Sequence, residues 1–173
     1  MIQKVLFPIL ITLLLVSCGS SKQVTSSQKR KVVKRNVHNS ETKKEVTVAD
    51  KIVWTAVTYK GVPYKYGGTT TSGMDCSGLI HTSFKARDVF IPRTSQQMYA
   101  QGVPISLREV RRGDLLFFRT KYKNGKVNHV GLVTSVKGND IQFIHSTSSR
   151  GVIVTSLLEN YWKRAFVRAK RVL

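Results

Sequence analysis

Acidic residues are scarce in this chain. Only nine of its 173 residues are Asp or Glu, against 29 Lys or Arg, which leaves a net charge of +20. An imbalance of that size points to a polyanionic partner or surface: nucleic acid, anionic lipid or an envelope polymer. Cysteine is also rare. Two cysteines exclude a multi-disulfide scaffold and a four-cysteine zinc site. There is no His-Glu-x-x-His, and no metal or cofactor is expected. The glycine-rich stretch 67–78 lacks the Gly-Lys-Ser/Thr ending of a P-loop, which argues against phosphate cradling. No internal repeat is present, and no apolar run reaches the ~20 residues needed to span a bilayer. What remains is 41% hydrophobic and 22% charged, a composition that suits a globular fold. The length allows one domain with short extras.

The extras lie at the N-terminus. Lys4 precedes an apolar run of twelve residues, Val5 to Val16, which has the size of a secretory h-region and contains Pro8. Leu15-Val16-Ser17-Cys18-Gly19 follows and resembles a bacterial lipobox. That resemblance implies a signal peptide over residues 1–17, cleavage before Cys18, a diacylglyceryl thioether on its sulfur and an acyl (palmitate-type) chain on its amine. Several acyl chains give stable anchoring, at ~0.8 kcal/mol per buried CH₂. Gly19-Ser20 places no Asp after Cys18, so analogy with enteric sorting favours the outer membrane, facing the periplasm. An ordinary cleaved signal, or a Cys18–Cys76 disulfide, stays open as an alternative. If Cys18 carries lipid, Cys76 is the lone thiol of the mature chain.

Residues 18–47 follow as a lipidated Cys and a basic linker. From Gly19 onward they hold no aromatic residue, eight Lys or Arg and two Asp or Glu, which reads as a flexible tether. Its Lys29-Arg30-Lys31 and Lys34-Arg35 clusters could grip anionic lipid or polymer. Residues 48–173 read as one domain. Thr47 opens a helix that closes at Gly61, Cys76 to Asp88 reads as a second, and Thr94 caps a third ending at Gly102. After Gly113 the pattern turns to strands: Leu115–Arg119, Val127–Val136, Ile141–Ser146, Val152–Thr155 and Phe166–Val172, with turn signals at Asn124-Gly125 and Gly138-Asn139. Helices first and a strand meander second predict an α+β fold with an antiparallel sheet.

The chemistry centres on Cys76. It stands where a Gly/Ser/Thr loop runs into a helix, and a helix N-terminus favours thiolate over thiol. A thiol nucleophile needs a neighbouring base with an orienting partner. His38 lies in the linker. His81, five positions on, sits about 140° around the helix axis and should face away. His129, in Asn128-His129-Val130-Gly131, starts one strand, and His145, in Phe143-Ile144-His145-Ser146, ends the next.

Gly61-Val62-Pro63-Tyr64-Lys65-Tyr66-Gly67-Gly68, Asp75-Cys76-Ser77-Gly78-Leu79, Gly113-Asp114-Leu115-Leu116-Phe117-Phe118 and His129-Val130-Gly131 together resemble the NlpC family of cell-wall cysteine peptidases. Pro92-Arg93-Thr94-Ser95-Gln96-Gln97 and the stretch from Ser149 to Trp162 resemble its Spr-type murein endopeptidase lipoproteins. The resemblance covers residues 48–173 and implies a papain-like core with N-terminal helices packed on an antiparallel sheet. It implies Cys76 as nucleophile, His129 as general base, His145 as the group that orients the base and Tyr64 at the oxyanion site, with Asp75, Ser77 and Arg93 as candidate substrate contacts. For His129 and His145 to stand opposite each other, the hairpin must centre on Lys137. The Gly138-Asn139 turn shifts that register by three, so one or more bulges are required.

The function implied is hydrolysis of stem-peptide bonds in peptidoglycan, at the D-alanyl–meso-diaminopimelate crosslink for a Spr-like enzyme, in wall growth. Cleavage between γ-D-glutamate and a diamino acid is the alternative, and an idle peptidoglycan-binding lipoprotein is the alternative of another class. The partners expected are stem peptides, with their free carboxylates, and a membrane through Cys18. A regulatory envelope protein is left open. The export signal and the want of a clustered basic-aromatic face argue against nucleic acid.

Overall fold

A computed structural model of the protein describes residues 45–120 and 125–173. The expected signal peptide, the lipidation of Cys18, nearly all of the linker, His38 and the Asn124 half of the first turn signal lie outside the described residues.

Helix α1 (Val48–Thr58) starts at a capping box. The Thr47 hydroxyl accepts from the Asp50 N–H while the Asp50 carboxylate accepts from the Thr47 N–H. Ile52, Val53 and Ala56 form its buried stripe. A two-residue hairpin follows, β1 (Thr69–Thr70) and β2 (Gly73–Met74). Next come α2 (Cys76–Lys85), α3 (Ser95–Ala100, capped by Thr94) and β3 (Val103–Ile105). A run of strands comes next: β4 (Leu115–Phe118), β5 (His129–Lys137), β6 (Asp140–Thr147) and β7 (Gly151–Ser156). The chain ends with α4 (Asn160–Ala165) and β8 (Phe166–Arg171).

Strands β4 to β7 form an antiparallel meander. The chain then returns through α4, and β8 takes the open side of β4, giving the order β3-β8-β4-β5-β6-β7. The α+β class holds, with helices preceding most of the sheet. Helix α2 stops at Lys85, three residues short of the sequence expectation; Asp88 beyond it has φ +56°, outside helical space. Strand β3 and helix α4 were not legible. β3 holds Pro104, which reads against a strand but is tolerated on a sheet edge. α4 is six residues long, and no side-chain hydrogen bond caps it at Glu159.

Strand β4 is buried throughout, and its alternation sorts the core into two layers. Leu115 and Phe117 join Ile52, Leu79, Ile80, Phe84, Val130 and Leu132 under α1 and α2. Leu116 and Phe118 join Val133, Phe143 and Trp162 under α4. Asp114 locks β4 to β8: its carboxylate accepts from Arg171 at 2.8 and 2.9 Å and from the Arg111 N–H at 2.7 Å. No described helix is long and apolar enough to cross a membrane.

Candidate active site

Cys76 is the first residue of α2 because Asp75 ends the preceding extended segment and caps the helix. Asp75 Oδ1 accepts from the Gly78 N–H at 2.6 Å, and Oδ2 accepts from the Gly67 N–H at 2.8 Å. Arg93 clamps the same carboxylate, Nη1 to Oδ1 at 3.0 Å and Nη2 to Oδ2 at 2.8 Å. The Ser77 hydroxyl joins both. Burial raises the Asp75 pKa, but the Arg93 hydrogen bonds and the two backbone donors win and hold it below the usual carboxylate range. The three residues read from the sequence as substrate contacts are thus turned toward one another. Arg93, a third exposed, is the one with surface to spare.

Glycines let the loop and helix meet. A Cβ at Gly78 would lie 2.1 Å from the Gly68 carbonyl oxygen. That contact explains the small residues on both sides of the thiol. The segment before them is stitched to the sheet, with the Ser146 hydroxyl donating to the Met74 carbonyl at 2.7 Å and Gly61 and Val62 bonding Val152.

The sequence reading gave Cys76 a thiolate-favouring site. The structure corrects it. The thiol is buried, and that burial pushes its pKa up; the Asp75 charge adds to the effect, against backbone groups of Val130, Ser77 and Cys76 that pull it down. The resting group is a thiol. The Val130 contact also locates it, because Val130 follows His129 in β5.

His129 and His145 are joined by a hydrogen bond, Nε2 to Nδ1 at 2.9 Å, and both are buried. They are not opposite each other. One residue, Thr134, bulges between the Val133↔Phe143 and Ser135↔Gln142 pairs. Carried on from Leu132↔Ile144, the register sets His145 level with Gly131. A single bulge therefore absorbs one of the three residues of mismatch. The other two are the offset of a diagonal pair on one sheet face, whose side chains still reach each other.

Burial lowers the His129 pKa from 6.5 to about 4, with the Asp75 charge opposing it. Burial, His129 and Arg150 lower that of His145 to about 2. Both imidazoles are neutral near pH 7. With His129 Nε2 engaged by His145, Nδ1 is the nitrogen left to act as a base. His145 Nε2 in turn meets Thr155 Oγ1 at 2.9 Å.

Two residues here had no sequence signal as site residues. Trp162 stacks on the His129 ring at 5.2 Å and 27°, and meets the His145 ring edge-on at 4.5 Å. Thr155 reaches His145 from β7. Both depend on strand register and on the return of α4, which no local pattern announces. Tyr64, half-buried, bridges to Met74. Burial and the neighbouring Cys76 and Asp75 raise its phenol pKa, so it stays a donor. His81 turns away and bonds the Ile91 carbonyl at 2.9 Å. Among the described residues, no group of three His, Cys, Asp or Glu could hold a metal. A buried thiol, a neutral imidazole with a fixed partner and a phenol donor are the equipment of nucleophilic acyl transfer.

Comparisons with known proteins agree in kind. A profile described as the NlpC/P60 family matches residues 61–171. The Escherichia coli K12 protein named "Murein DD-endopeptidase MepS/Murein LD-carboxypeptidase" is 36% identical over 131 residues, which is 75% of this chain and 66% of that protein. The same strain's "Probable endopeptidase NlpC" is 39% identical over 116 residues, 66% of this chain and 71% of its own. A crystal structure of an NlpC/P60 family protein from Bacillus cereus ATCC 10987 superposes with a TM-score of 0.66 at 32% identity, over 75% of this chain and 41% of that one. The chain spans just under two thirds of the first relative's length.

Proposed function

The chain belongs to the NlpC/P60 family, and from that premise we propose that it is a peptidoglycan endopeptidase that cuts stem peptides through a Cys-His mechanism. The observation that carries this reading is the buried His129–His145 pair ending beside the strand residue that touches the Cys76 sulfur.

In this mechanism His129 Nδ1 takes the thiol proton as Cys76 Sγ attacks the scissile carbonyl carbon. The oxyanion forms against the Tyr64 hydroxyl and the Cys76 N–H. His129 then gives the proton to the leaving amine, and water hydrolyses the thioester with His129 again as base. Neutrality suits it for this, since a neutral imidazole is the form that accepts a proton. His145 is the orienting partner, too acidic as an imidazolium to compete for the proton. Asp75, Ser77 and Arg93 hold the nucleophile's helix, and the exposed part of Arg93 is the surface of that clamp open to a substrate carboxylate.

The bond favoured is the D-alanyl–meso-diaminopimelate crosslink, supported by similarity to a relative named as a murein DD-endopeptidase. The lipobox supports a lipoprotein tethered through Cys18 on the periplasmic side of the outer membrane, reaching the wall on the basic 18–47 segment.

The test is mass spectrometry of muropeptides treated with the protein lacking residues 1–18. Loss of crosslinked dimers, absent with Cys76→Ala, is the expected outcome. Cleavage after γ-D-glutamate with dimers intact moves the bond to the alternative, and no change in either overturns the enzyme reading. Palmitate labelling that survives Cys18→Ser removes the anchor.

A further inference from the structure

We propose that Thr155 is a positioning residue that supplies the acceptor needed by the one tautomer order of the two histidines in which His129 is a base. The proposal rests on the Cys76–His129 reading above.

The placement is a staircase across three strands. His145 lies one diagonal step from His129, level with Gly131. Thr155 pairs with Phe143, and Ile153 is the residue opposite His145, so Thr155 is again one diagonal step along. Each step closes a hydrogen bond of 2.9 Å. Thr155 is 3% exposed and His145 fully buried, so water does not supply a substitute partner.

Only one proton order makes this chain useful. For His129 Nδ1 to be unprotonated, Nε2 must carry the hydrogen and donate it to His145 Nδ1. His145 Nδ1 must then be bare, which places its own hydrogen on Nε2, facing Thr155. Thr155 Oγ1 accepts it. Without an acceptor there, the Nε2 hydrogen is a buried, unsatisfied donor, and such a group is costly. The imidazole relieves that by moving its hydrogen to Nδ1. His145 then donates toward His129, whose Nε2 must accept, and the His129 hydrogen moves to Nδ1. The nitrogen facing the thiol is now a donor and the base is lost. A hydroxyl of Ser or Thr in this place can accept that hydrogen and so leaves the useful order satisfied, whereas an alkyl group makes it costly and favours the inverted one.

Thr155→Val keeps the shape and deletes the acceptor. Expected for the protein lacking residues 1–18 are kcat on crosslinked muropeptides lower by roughly ten- to a hundredfold, KM within about twofold, and recovery to within about threefold of wild type in Thr155→Ser. The nitrogen shifts of ¹⁵N-histidine NMR read the cause directly. The wild type should show Nε2–H at both His129 and His145, and Thr155→Val should move the His145 hydrogen to Nδ1. Thr155→Ala carries the same test if the valine variant does not fold. A wild-type His145 bearing Nδ1–H, unchanged tautomers in the variant, or a rise in KM with kcat intact each overturn the proposal. Activity surviving Cys76→Ala would instead sink the Cys76–His129 reading, and the NMR result stands apart from that outcome.

Discussion

His129 and His145 hydrogen-bond at 2.9 Å although they are not opposite each other in the sheet. The bond depends on a two-residue diagonal, and the diagonal depends on the bulge at Thr134. An orienting partner in this place needs an acceptor at the His145 Nδ1 position. His145→Asn supplies one and should lose roughly tenfold in kcat/KM, whereas His145→Ala should lose roughly a hundredfold or more. Steady-state rates on a crosslinked muropeptide decide this; equal losses in the two variants would assign His145 to packing alone.

The Asp75–Arg93 clamp holds the helix under the thiol. Arg93→Met leaves a carboxylate that is largely buried without its cation. Breaking such a pair costs about 3 kcal/mol, somewhat less here because Arg93 is a third exposed. Urea unfolding should show a lower midpoint at an unchanged slope. A midpoint equal to wild type would show that Gly67 and Gly78 suffice as partners.

Stability should fall as the solution is acidified from pH 6.5 toward 4. In the unfolded chain both imidazoles take up protons near 6.5, while in the folded chain they wait until about 4 and about 2. Across that window the unfolded state holds more protons, so each histidine removes up to about 1.4 kcal/mol per pH unit. Thermal melts of wild type and His145→Gln should diverge in slope, with the variant flatter. Parallel curves would place the imidazoles in contact with water.

Trp162 keeps water off the same rings. Trp162→Phe narrows that cover and should raise the His129 pKa, moving the acid limb of kcat/KM to higher pH by about one unit. Asp75 acts in the same direction on His129 and must be left in place. Trp162→Ala should in addition lose about 3–5 kcal/mol of stability. An acid limb that does not move would make Trp162 a packing residue only.

Much of this site was legible in the sequence because its signals are local. Thr47 with Asp50 three residues on, or Asp75 before Cys76, mark a helix start by side-chain chemistry alone. The Gly/Ser/Thr run from Gly67 to Gly73 marks a loop entering a helix before any partner is known. What was not legible depends on pairing at a distance. The bulge at Thr134 has no residue signature. Thr155 reads as one more β-branched strand residue until β7 is laid on β6. The thiol's charge state was misread because a helix terminus is visible in sequence while burial is not.

The two core layers meet at the site. Cys76 belongs with the layer under α1 and α2, whereas the rings of His129 and His145 pack with Phe118, Phe143 and Trp162 on the opposite face of the sheet. Thiol and imidazole come together where β5 begins, at the boundary between the two layers. The reacting pair is therefore a product of both layers at once, and a substitution that loosens either face of the sheet reaches the chemistry.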